Sequence, residues 1–356
     1  MTCPRPVKHL PEADWPPEDR LLFENAFASG DIFDDNVGAG AHLAQGTRRT
    51  ILFGWRRWLG FLAAEHPDDI QLPAVDRIAP DRVRDYVEHL NVDYGATSVA
   101  MTVTELSDAA RLIAPDRDWS WLRALKRRLH ARARPQDRFE RLVSPHKTLD
   151  LGITLMETAD TLATCRRMER EIQFRDGLII ALLSLWPIRR RSLAALTLDR
   201  HVKRGHGDEY IHLLLFPEDT KSKREERWTV PEVLLPYLKR YLDQIRPRLA
   251  GRRNHNALWV GQHGHPLSED GLYNAVCRRT EAEFGLAMSL HDFRRAAATF
   301  TAMNMPEKIG LIPGVLQHSS PETADRFYNL ARSVSASRRY GATISELKSR
   351  LQPETR

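Results

Sequence analysis

Cysteine is scarce in this 356-residue chain: Cys3, Cys165 and Cys277 are its only three, and no two form a CxxC pair. An odd, scattered set argues against a disulfide framework and predicts a reducing compartment. Long apolar runs are missing as well. The strongest, from Gly177 to Ile188, is too short to span a bilayer. The opening MTCPRPVKHLPEADWPPEDR lacks the apolar centre that a secretory leader carries. Together these absences predict a soluble cytoplasmic protein with no membrane partner. Strand-like alternation is lacking too between about Leu21 and Arg134, which predicts an all-helical first domain.

What is present is positive charge, unevenly spread. Lys and Arg total 53 against 47 Asp and Glu, for a net charge of +6 and a pI near 9.3. Residues 1–135 hold 18 basic and 20 acidic side chains, so the remaining 35 basic and 27 acidic make the C-terminal part the basic one. That balance favours a polyanionic partner. The length predicts two domains, each able to bury its own core.

Residues 1–20, rich in proline and charge, read as a flexible tail. Residues 21–134 read as a helical domain. Ile51, Leu52, Trp55, Trp58, Leu59 and Leu62 mark one helix, Val83, Tyr86, Val87 and Leu90 another, and Met101–Ile113 and Trp119–Leu129 two more. Trp55 and Trp58 fall on the apolar stripe, which makes them core. The run 123–141 then carries eight basic residues and two acids, Lys126, Arg127, Arg128, Arg132 and Arg134 among them. A charge run is usually a solvated helix face, but the breaks at Pro135 and Ser144-Pro145 make 135–148 read as a basic linker able to follow a phosphate backbone.

The second domain, residues 149–340, opens with helices over 149–162 and 169–186, the second nearly apolar in its latter half. Pro187 stops it, and Arg189, Arg190 and Arg191 follow; unpaired guanidinium groups beside a buried helix call for an anion or the surface. Tyr210–Phe216 and Arg227–Val230 read as strands of a hairpin whose tip, PEDTKSKREE, carries Lys221 and Lys223. An amphipathic helix over 231–249, a short strand over 257–260 and a helix over 267–284 capped by Ser268 complete the approach. His255, His263 and His265 invite a metal reading, but no thiol stands at ligand spacing, and no metal or other cofactor is expected.

In LHDFRR (290–295), His291 and Arg294 sit three apart at the head of an apolar run, which sets them on one helix face. In LQHSSPETADRFYNL (316–330), Ser320 followed by Pro321 and Glu322 predicts a helix start, with His318 just before it and Tyr328 two turns in. Guanidinium forks grip phosphate oxygens and imidazoles move protons near neutral pH, so this set suits chemistry at an anion. Beyond it, Ile344, Leu347 and Leu351 form a narrow apolar stripe in the tail, 341–356.

Arginine run, lysine hairpin, HxxR, a further His and then Tyr, in that order, resemble the tyrosine recombinase or phage integrase family of site-specific DNA recombinases. The likeness covers roughly residues 150–340 and implies a mainly α fold. A helical core-binding domain would precede an α-rich catalytic domain with a small antiparallel sheet. PIRRRSLAALTL (187–198) resembles the family's first-arginine motif and aligns Arg189, and the Thr-Lys pair of DTKSKREERWTVP (219–231) favours Lys221 over Lys223 as the catalytic lysine. The remaining catalytic roles fall to His291, Arg294, His318 and the nucleophile Tyr328. Pro187 and Gln317 depart from the family's usual glycines, and Ser192 from a supporting acid. The resemblance implies strand cleavage and rejoining without metal or ATP, on double-stranded DNA with inverted half-sites. It further implies a free monomer, a tetramer on synapsed DNA, and residence at the nucleoid. Two other functions remain open: relaxation of DNA like a type IB topoisomerase, which uses similar chemistry, and non-catalytic DNA-binding regulation on the same fold.

Overall fold

The computed structural model describes residues 9–31, 37–133, 142–164, 166, 168–205, 209–220, 223–311 and 321–351. The chain divides into two compact units, Met1–Asp137 and Arg138–Arg356. No described helix is long and apolar enough to cross a membrane.

The regular structure of the first unit, among its described residues, is all helical: α1 (Pro17–Phe27), α2 (Gln45–Glu65), α3 (Pro80–Asp93), α4 (Ala96–Ile113) and α5 (Ser120–Arg132). Spacing by three and four puts Trp55, Trp58, Leu59 and Leu62 on one face of α2, and all four are fully buried. Each such side chain contributes about 1.5–3 kcal/mol on leaving water. The expected tail over 1–20 is corrected from residue 9 onward. Trp15 is buried beside Phe23, and the Asp19 carboxylate accepts hydrogen bonds from Trp55 Nε1 (2.9 Å) and Arg77 Nη1 (2.8 Å). A buried carboxylate demands such partners, so this charged stretch is drawn into the core rather than left in solvent.

The second unit opens on α6 (Pro145–Glu157) and α7 (Glu169–Leu185). Ser144-Pro145 is therefore a helix start and not a turn: Ser144 occupies the N-cap position and Pro145 the first helical one, where its missing N–H costs nothing. The expected linker loses residues 145–148 to α6, and its residues 135–141 lie outside the described ones. The two helices approach at glycines. A Cβ on Gly152 would stand 2.6 Å from the Ala181 amide nitrogen, and one on Gly177 the same distance from the Gly152 carbonyl. Interior charge fastens α7 further, since Asp176 accepts from Arg175 (2.6 Å), and from Arg278 (3.1 Å) and Arg279 (3.2 Å) on α12 (Glu269–Phe284).

After α7 come two short helices, α8 (Arg190–Ala194) and α9 (Leu198–His201), and a three-stranded antiparallel sheet ordered β1 (Val202–Arg204), β2 (Ile211–Leu215), β3 (Glu226–Thr229). Leu213 pairs with Trp228 and Leu215 with Glu226, and β1 is a strand too short to show a sequence period. The helix expected over 231–249 begins later and is not regular: α10 (Leu235–Arg240) passes through a π-helical stretch at Tyr241–Ile245 into α11 (Arg246–Ala250). The strand expected at 257–260 is also absent. Only single bridges, Thr197 to Ala257 and Val260 to Pro266, form there. Ser268 does cap α12, accepting from the Gly271 amide at 3.0 Å. Last come α13 (Leu290–Asn304) and α14 (Pro321–Leu351), which pack together, with Arg338 donating to the Met303 carbonyl at 2.7 Å. One helix thus runs across the boundary drawn at residue 340.

Because the α6–α7 approach leaves no room for a methyl group, Gly152→Ala should destabilise the second unit by about 1–3 kcal/mol. Urea denaturation of the full chain checks this; an unchanged transition midpoint would mean that the helices yield freely.

Candidate functional site

The site is built where α7 ends. Pro187 cannot continue the helix, Ile188 turns inward and is buried, and Arg189 takes the half-buried N-cap position of α8 in extended backbone. From the other side comes α13, whose start is set by a capping box: Asp292 accepts from the Ser289 amide (2.9 Å) and hydroxyl (2.8 Å). That start aims His291 and Arg294 from one face. Arg294 is only 5% exposed, and its Nη1 donates to the carbonyl oxygen of Pro187. The bond spans 107 residues of sequence and brings the second guanidinium beside the first.

The electrostatics follow from that placement. Burial first, and then the charge of Arg189, pull Arg294 down to about 10, which leaves it cationic at neutral pH, and Glu226 opposes the shift. His291 lies below its ordinary value because surrounding protein desolvates it and Arg294 and Arg295 add positive charge; Asp292 offsets part of this and Arg189 reinforces it. Its imidazole is therefore neutral at pH 7 and able to accept a proton. Two guanidiniums, an imidazole and the opposing Glu226 carboxylate thus act on one another at the end of α7.

Glu226 was not legible as a site residue. Period two on β3 puts it on the same face as Trp228, and the Trp228 ring stacks on Trp186 at 5.0 Å with 13° between planes. Since Trp186 immediately precedes Pro187, the stack carries the acid to the arginines. Ser192 is buried and donates to the Asp219 carbonyl at 2.8 Å.

Arg190 turns away to pair with Glu269 (3.2 Å) and Asp270 (3.5 Å) at the start of α12, and Arg191 is exposed. Tyr328 stands in the second turn of α14 with 36% of its surface exposed. Lys221 and His318 lie outside the described residues, while Lys223 is exposed with a positive φ of 51°. Of the basic run, Lys126 pairs with Asp108 at 3.3 Å and Arg127, Arg128 and Arg132 are exposed on α5; Arg134 lies outside the described residues. His255 contacts the Gly264 carbonyl through Nε2 at 2.9 Å, and among the described residues no three His, Cys, Asp or Glu gather as metal ligands.

No family model matches the chain. It is similar to the tyrosine recombinase XerD of Staphylococcus saprophyticus, 25% identical over 114 residues, covering 32% of this chain and 38% of that protein. XerD of Staphylococcus epidermidis is 21% identical over 199 residues, covering 55% of this chain and 61% of the relative. The chain therefore spans less than two thirds of the length of these curated relatives. Among solved structures, the XerH site-specific recombinase bound to palindromic difH substrate, a post-cleavage complex, matches with a TM-score of 0.55 and 13% identity over 87% of this chain and 90% of that one. The fold is that of the tyrosine recombinases: mainly helical, with a small antiparallel sheet.

The His291 ring should titrate below pH 6.5, and Arg294→Gln should move its midpoint upward by removing a neighbouring positive charge. Ring-proton NMR of the full chain measures both. A midpoint at or above 6.5 in the unaltered protein would contradict the electrostatics described.

Proposed function

We propose that this protein is a site-specific tyrosine recombinase that cuts and rejoins duplex DNA through a 3′-phosphotyrosyl intermediate. The observation that carries the reading is the convergence of Arg189, Arg294 and His291 on one small region at the end of α7. The similarity to XerD in sequence and to XerH in fold supports it.

In this reading the Tyr328 oxygen attacks the scissile phosphorus, a P–O bond to tyrosine forms, and the bond to the 5′-oxygen breaks. Phenol ionises with a pKa of ~10, so generating the nucleophile at pH 7 costs about 4 kcal/mol. Arg189 and Arg294 offset that cost by holding the non-bridging oxygens, where negative charge accumulates in the transition state. His291 takes the tyrosyl proton, Lys221 gives one to the departing 5′-oxygen, and His318 donates a hydrogen bond to the phosphate. The phosphotyrosyl bond retains the energy of the broken diester, so a 5′-hydroxyl can reverse the step without ATP or metal. The exposed arginines of α5, Arg127, Arg128 and Arg132, supply sequence-independent contacts to phosphates.

Tyr328→Phe should bind DNA as the unaltered protein does and form no covalent adduct. A nicked suicide duplex made from the DNA flanking its own gene, resolved on a denaturing gel, tests this. Adduct surviving in the variant would move the nucleophile elsewhere, Tyr340 being the next tyrosine on α14.

The assembly follows the same reading: a free monomer, two inverted half-sites per DNA, and a tetramer at synapsis. Ile344 and Leu347 on α14 are each 46% exposed, an apolar pair that a neighbouring protomer would cover in a head-to-tail contact. Truncation after Tyr340 should leave single-site binding unchanged in gel shift while reducing synapsis and strand exchange. Recombination at the unaltered rate would show that the end of α14 has no such role.

A further inference from the structure

The turn that carries His263 closes one side of a cavity of about 710 Å³ in the second unit. Met168, Leu249 and Ala250 supply its apolar lining, and Arg248, Arg252 and Arg253 supply its charge. Met168 immediately precedes α7, whereas Arg189 follows the other end of that helix. Seventeen residues of helix measure about 25 Å, so the cavity is remote from the arginine site already described.

Two turns build the rim, and each needs a glycine. Gly251, which ends α11, has a φ of 58°, and Gly264 has a φ of 77°, both in the left-handed region. A Cβ on Gly264 would also stand 2.8 Å from the Ala250 carbonyl oxygen, so the turns touch there. Arg253 Nε donates to the His263 carbonyl at 2.8 Å, and His255 Nε2 meets the Gly264 carbonyl at 2.9 Å. These bonds fix one turn on the other. They also fix the Arg253 fork by its Nε alone, which leaves both terminal nitrogens without a partner among the described residues. Arg252 makes no side-chain hydrogen bond or ion pair among those residues either. Arg248 has one acid near it, Glu171 at 3.8 Å, which is too far for a hydrogen bond.

Arginines that only solubilise a surface, or that follow a nucleic-acid backbone, can sit on an open convex face. Here they surround a concavity whose floor includes buried Leu249 and Ala250, and whose volume falls within the ~300–1,000 Å³ of small-molecule sites. Guanidinium forks match phosphate oxygens, and three of them facing a single distant acid suit more than one phosphate group. The apolar lining leaves a place for an organic moiety beside those groups.

We propose that this cavity binds a small molecule bearing two or more linked phosphates, of the nucleoside diphosphate class, with Arg248, Arg252 and Arg253 holding the phosphates. No step of strand cleavage enters, so the site does not depend on the recombinase reading.

The test is calorimetric titration of the full chain with ADP, AMP and adenosine at about 0.15 M salt, where weak surface attraction is screened. We expect ADP to saturate one site below about 1 mM, AMP to bind about tenfold more weakly and adenosine not to saturate. Arg252→Ala and Arg253→Ala, both at exposed positions, should each weaken ADP about tenfold or more, while Arg189→Ala leaves it unchanged. Failure of ADP to saturate would overturn the proposal. So would ADP binding that survives both rim variants, or that is lost in Arg189→Ala, since the ligand would then lie elsewhere. Duplex binding in gel shift separates a further source of the same charge match. If the rim variants weaken the duplex and ADP does not saturate, these arginines serve a DNA backbone and the small-molecule site is wrong.

Discussion

The hydrogen bond from Arg294 to the Pro187 carbonyl is the constraint on which the site depends. Two guanidiniums repel when brought together out of water, and Arg294 has little contact with solvent. What holds it is an acceptor freed by helix termination: the chain after α7 cannot return to helix at Pro187, so that carbonyl is available to a side chain. The arrangement stores a positive field with no covalent cost.

Around that bond the second unit is organised to keep α7 still. Glycine contacts bring α6 close, the Asp176 cluster fastens α12, and the Trp186–Trp228 stack attaches β3. Each acts on a different side of the same helix, and each is short-ranged, so small shifts in α7 would be felt at Arg189. In the first unit the Asp19–Arg77–Trp55 group does similar work by tying α1 into the core. Removing one partner would leave a charge buried and unpaired.

Much of this was legible in the residues. The i, i+3 and i, i+4 spacing of Trp55, Trp58, Leu59 and Leu62 marked a buried helix face, and Ser268 before an acidic first turn marked a helix start. The HxxR pair could be put on one face because helical geometry alone requires it. Less legible were elements with no period to read. β1 is three residues long, the 257–260 segment makes bridges without a ladder, and the proline-rich start hid a buried tryptophan and aspartate.

Sequence by itself therefore determined where most of the longer helices run, which of their faces are apolar, and which residue types stand in the order that resembles a recombinase. These depend on local spacing, capping and composition, which the chain carries from residue to residue. Tertiary structure alone decided that Arg294 is held by Pro187, that Glu226 faces the arginines, that Arg190 turns to Glu269 and that Asp219 meets His201. Those pairs lie from 18 to 107 residues apart, and nothing in local periodicity encodes which distant carbonyl or carboxylate a side chain will find. Packing of α7 against its neighbours makes that choice, because it brings the distant groups within reach of a hydrogen bond.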